Sequence, residues 1–144
     1  MDRALDMKKQ SRERSCEELE EEKIVEQLLE KQCGFYRAVL ELSRSEYEKF
    51  SKQRPLKEII SIIKKKKILL SCVEEIEKKL ELIKTHRKEI WEAILNNERP
   101  CQLFSQVQEL VREMLAIDEE NQGMLQKYMK GLQKKQSELS KESF

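Results

Sequence analysis

The stretch 56–95 constrains this chain more than any other. From Ile59, alternating steps of three and four residues land on Ile62, Lys66, Leu69, Val73, Ile76, Leu80, Ile83, Arg87, Ile90 and Ile94. This is a heptad repeat with two basic interruptions. On an α-helix it makes one apolar stripe that needs a partner helix to cover it. An unbroken helix over 56–95 would be roughly 60 Å long, longer than a rounded domain of this size accommodates. The repeat therefore predicts an elongated bundle organised around this middle stretch, with function carried on helix surfaces rather than in a pocket. Lys66 and Arg87 fall on the seam. Their stems are expected to pack while their charges reach water, setting the register of the helices.

Composition supports long helices. Charged residues make up 40% of the chain, against three glycines and two prolines. Leu, Ile and Val suffice for a narrow seam but not for a thick core. The 144 residues suit one domain, and basic and acidic residues nearly cancel to a net charge of +1. That balance implies no bulk attraction to nucleic acid or membrane. Cys16, Cys33, Cys72 and Cys101 are widely spaced and make no C-x-x-C pair, so they read as reduced side chains rather than a disulfide framework or zinc site. No apolar run reaches the ~20 residues needed to cross a bilayer, and residues 1–15 lack the apolar segment of a secretory signal. The expectation is a cytoplasmic protein.

Proline marks the boundaries. Pro55 and Pro100 each fit the first turn of a new helix and disfavour helix in the residue before them. Ahead of Pro55, the positions Val25, Leu28, Leu29, Cys33, Tyr36, Val39, Leu40, Tyr47 and Phe50 recur at mostly helical steps. The cluster Glu17, Glu18, Glu20, Glu21 and Glu22 suits the positive end of that helix. Gly34 inside it reads as a tolerated weakness. Beyond Pro100 a third stripe holds Phe104, Val107, Leu110, Val111, Met114, Leu115, Ile117 and Asn121. The polar run 118–123 then separates it from a second apolar group. The expected architecture is all-α: an antiparallel, coiled-coil-like bundle of three long helices at about 18–50, 55–96 and 100–133. A flexible arm, 1–17, precedes it and a frayed tail, 134–144, comes after it.

No arrangement of residues suggests catalysis. Gly34, Gly123 and Gly131 are isolated, so no phosphate-cradling loop exists. The one histidine, His86, sits in a charged stretch and cannot serve a nucleophilic scheme alone. Glu-x-x-His motifs for a di-metal bundle are missing. The chain reads as a non-enzyme without cofactor or metal. Lys64, Lys65, Lys66 and Lys67 form a tetrabasic run, but four successive helical residues spread around the circumference, which favours a solvated segment over a nucleic-acid patch. Trp91, one residue past the seam, reads as a core wedge.

Met124, Leu125, Tyr128, Met129 and Leu132 share one side of a helix. Methionine adapts to varied partners, so this face fits helix-in-groove recognition or packing against the first helix. Gly123 and Gly131 are expected to loosen the helix on both sides of it.

Three segments resemble the FlgN-type flagellar export chaperones: LLEKQCGFYRAVLELSRSEYEKF at 28–50, EIISIIKKKKILLSCVEEIEKKLELI at 58–83, and LVREMLAIDEENQGMLQKYMKGL at 110–132. The run Asp118, Asn121, Leu125 is the part that goes beyond heptad texture. The family often has Asn-Gly here, whereas Gln122 intervenes in this chain. The resemblance implies a cytosolic chaperone of long antiparallel helices that holds hook-associated (hook–filament junction) proteins before type III export and meets export-apparatus components. It places the client on Met124, Leu125, Tyr128, Met129 and Leu132. The second reading, after the chaperone, is a structural coiled-coil scaffold that self-assembles, and the oligomeric state stays open.

Overall fold

Neighbouring apolar pairs, Leu28 with Leu29 and Val39 with Leu40, widen the stripe of the first helix beyond what one partner covers. In the computed structural model, which describes residues 16–142, this helix is the spine. Helix α1 spans Cys16–Ser51 and packs along both α2 (Leu56–His86) and α4 (Glu98–Glu142), which touch each other far less. A short α3, Lys88–Leu95, joins α2 to α4. The described residues outside these helices are only short connections and none forms a strand, so the fold is all-α. Two expectations change. The element around which the chain is organised is α1, not the middle stretch, and the three predicted helices are four.

The fourth helix arises at Arg87. Its backbone leaves the helical region at φ −136° and ψ 59°, so the predicted 55–96 helix is broken in two. Neither glycine nor proline marks the place. The Arg87 guanidinium lies 2.6 Å from Glu21 Oε1 on α1, and Trp91 N–H donates to Arg87 O at 2.9 Å. The break restarts the helix in a new phase, with Trp91 and Ile94 buried in the core and Ile90 only partly so. Arg87 itself is exposed.

Hydrogen-bond partners give the helix directions. Along α1, Tyr36 pairs with Glu77 and Glu46 with Lys66, so α2 runs antiparallel. Cys33 pairs with Leu103, Ser43 with Asp118 and Glu46 with Asn121, so α4 runs parallel to α1. The Cys33 thiol donates to Leu103 O at 3.7 Å, and burial pushes its pKa up. The Tyr36 hydroxyl donates to Glu77 Oε1 at 3.0 Å, and its pKa is raised chiefly by burial, then by that carboxylate.

On α2, Ile59, Ile62, Lys66, Val73, Ile76 and Leu80 are buried, as the heptad predicts. This helix offers a single stripe, so each seam residue carries a large share of its attachment to α1. Leu80→Ala is expected to destabilise the fold by about 2–5 kcal/mol. A urea titration reads the loss. An unchanged midpoint would show that Leu80 does not pack in the core.

The turn from α1 to α2 has a helix-ending geometry that hydropathy does not reveal. Gln53 has a positive φ of 54°. Gln53 N–H donates to Phe50 O at 3.1 Å and Arg54 N–H to Lys49 O at 2.9 Å. These are the two bonds of a Schellman cap, whose left-handed position favours glycine. Gln53→Gly should raise stability by up to about 1 kcal/mol, the relieved strain exceeding the extra chain entropy. A lower thermal midpoint would mean that the glutamine side chain contributes more than its backbone costs. Arg54 then clamps the start of α2 through two 2.8 Å bonds to Glu58, which hold that carboxyl below the usual range.

Helix α4 begins at Glu98, with Pro100 buried inside its first turn. It continues without a break past Gly123 and Gly131 to Glu142, so residues 134–142, expected to fray, are helical. At the other end Cys16 and Glu17 already belong to α1. The rest of the expected arm, 1–15, and residues 143–144 lie outside the described residues.

Candidate functional site

The register of α4 is set by a polar cluster where the three long helices meet. Lys66 Nζ lies 3.1 Å from Glu46 Oε2 and 2.6 Å from Asp118 Oδ1. Ser43 Oγ donates to Asp118 Oδ1 at 2.8 Å. Asn121 Nδ2 donates to Ser43 O and to Glu46 Oε2, both at 2.9 Å. Asn121 Oδ1 is buried with no hydrogen-bond partner. The expected snorkelling of Lys66 is corrected: its side chain is 11% exposed and its charge meets two carboxylates instead of water. The run 118–123 is not a break in the seam either, because Asp118 and Asn121 turn inward and continue it in polar form.

Fixing the register here also fixes where the seam of α4 runs out of cover. Val107, Met114 and Asn121 are buried at successive seven-residue steps along α4. Tyr128 is the next step and is 37% exposed. The reason lies in helix lengths. Asn121 lies beside Glu46, and α1 ends five residues later at Ser51. Helix α4 therefore passes the end of α1 near residue 126 and projects beyond it by roughly 24 Å. Its stripe outruns the helix that covers it.

The five predicted binding residues divide along this projection. Met124 is half-buried and, with Tyr128, lines a groove of about 650 Å³ closed on the other side by Phe50, Gln53, Arg54 and Ile59. Leu125 and Met129 border a separate shallow hollow made by α4 alone, beside Gln126 and Lys130. Leu132 is 39% exposed. Sequence reasoning missed the far wall of the groove. The signal for it was the relation between helix lengths and register, which needs the tertiary pairing. Lys127 and Lys135 also line the groove, together with Arg54, and among the described residues no carboxylate does.

Among the described residues, no three His, Cys, Asp or Glu side chains are grouped to hold a metal ion, and no helix is long and apolar enough to cross a membrane. Cys33 is buried, Cys72 partly buried, and Cys16 and Cys101 exposed, all as free thiols. No family model, curated protein or solved structure matches the chain.

Proposed function

We propose that this chain is a helical binding protein that captures an amphipathic helix of a client along the projecting end of α4. The observation that carries this reading is the continuation of a buried seam, through Val107, Met114 and Asn121, into Tyr128, where no further helix among the described residues covers it. A client helix laid there extends the bundle by supplying the missing partner. The groove walls contribute Phe50 and Ile59, and Lys127 and Lys135 favour a client with acidic flanks.

The resemblance to FlgN-type chaperones supplies the client class. On that reading the chain holds hook-associated proteins in the cytoplasm before type III export, binding them without catalysis. Self-assembly as a coiled-coil scaffold is the rival. Pairing two projecting ends would bring Lys127, Lys130, Lys134 and Lys135 of each copy together, which opposes that rival.

Two measurements on the full chain separate them. Light scattering should give one small species whose mass is independent of concentration. A pull-down from source cells should retain a client with the full chain and lose it when the chain ends at Gln126. Mass that grows with concentration, or a client retained by the truncated chain, would reject the proposal.

A further inference from the structure

The tetrabasic run divides once the helix is packed. Lys66 turns into the polar cluster, while Lys64, Lys65 and Lys67 stay on the outside with Lys57. None of these four outer lysines has a carboxylate partner among the described residues. Beside them lie two isoleucines that the fold does not bury, Ile60 at 41% and Ile68 at 67% exposure. Leu56, Ile60, Lys64 and Ile68 succeed one another at four-residue steps, along the face of α2 turned away from α1. Between Glu58 and Glu74 the chain has no acidic residue. The near-zero net charge thus conceals a local face that is both basic and aliphatic.

We propose that this outer face of α2 docks on an anionic phospholipid surface. Charge complementarity calls for an anionic partner, and the shape of the face selects among anions. Every described residue lining it comes from α2, so it is one helix wide with no wall from another described element. A flat partner fits such a face better than a helix, which would need a groove. The face has lysine and aliphatic side chains but neither arginine nor an aromatic ring. Nucleic acid would use the lysines but would leave the isoleucines in water. At a lipid interface the isoleucines enter the acyl boundary, while lysine stems lie along them and the ammonium groups reach the headgroups. Attachment is peripheral and reversible. It uses the side of α2 opposite α1, so it is independent of the client site.

The test is flotation of the full chain with vesicles of phosphatidylcholine alone or mixed with phosphatidylserine. Binding is expected only to the mixed vesicles, falling as salt rises. Replacing Lys64, Lys65 and Lys67 with Gln should weaken it on the order of tenfold or more. Ile60→Gln with Ile68→Gln should weaken it several-fold while the dependence on salt stays the same. All five changes are at exposed positions, and circular dichroism should show native helicity. If the lysine variant loses helicity, the isoleucine variant decides alone. The proposal is overturned if the chain ignores the mixed vesicles, or if the isoleucine variant binds them as the native chain does. Equal binding to duplex DNA with the same lysine dependence would also overturn it, making the face a general polyanion site.

Discussion

Lys66→Met is expected to destabilise the fold by about 3–5 kcal/mol, the range for removing one partner from a buried ion pair. The loss comes from the groups that the substitution leaves behind. Among the described residues Glu46, whose side chain is 6% exposed, would keep only Asn121 as a hydrogen-bond partner. Asp118 would keep the Ser43 hydroxyl and, being 31% exposed, some water. Most of the penalty therefore falls on Glu46, and the partly hydrated Asp118 adds less. Attraction between the charges is not itself the source of stability, since desolvating them offsets much of it. Combining Lys66→Met with Glu46→Gln and Asp118→Asn should accordingly recover most of the loss. Urea titrations of the single and triple variants read both effects. A single variant as stable as the native chain would show that Glu46 finds water, and that the cluster does not hold α4 in register.

The contrast between legible and hidden parts of this fold has one cause. Hydropathy at helical spacing marks buried apolar side chains, so Val25 through Leu40 on α1 and Ile59 through Leu80 on α2 could be read directly. It misassigns buried polar residues. Ser43 and Glu46 occupy the inward positions near the end of α1, while Tyr47, expected on the seam, is 39% exposed. Asp118 reads as part of a break in α4 for the same reason, although together with Asn121 it joins α4 to the other two long helices. The widths of the stripes also held information that the regular repeat obscured. The heptad of α2 is the most regular in the chain, but it is one residue wide and serves one neighbour. The broader stripe of α1 serves two, which makes it the spine. The break at Arg87 had no glycine or proline to announce it. The contact with Glu21 that accompanies it joins residues far apart in sequence, which periodicity along one helix cannot reveal.

Changing Tyr128 and Leu132 together to Ala should abolish client capture, weakening it by about two orders of magnitude or more, and leave the melting temperature nearly unchanged. The two halves of this expectation have different sources. Stability should hold because Tyr128 and Leu132 are 37% and 39% exposed and lie where α1 no longer runs beside α4. Binding should fail because Tyr128 occupies the seam position that a client helix must cover. It offers a large apolar body to that helix and a hydroxyl able to reach a polar partner. Leu132 lies one helical turn further along and extends the contact. Met129, 47% exposed and bordering the neighbouring hollow, provides the control. Its replacement by Ala should cost less affinity than that of Tyr128 if the groove beside Phe50 and Ile59 is the seat of the client. Affinity is measured by titrating the purified client recovered with the native chain, and stability by thermal melting of each variant alone. If the double variant unfolds, these side chains are structural and the binding face lies elsewhere. If it keeps its stability and still binds, the client does not use the open seam. Equal losses from Met129→Ala and Tyr128→Ala would move the site from the groove to the outer flank of α4.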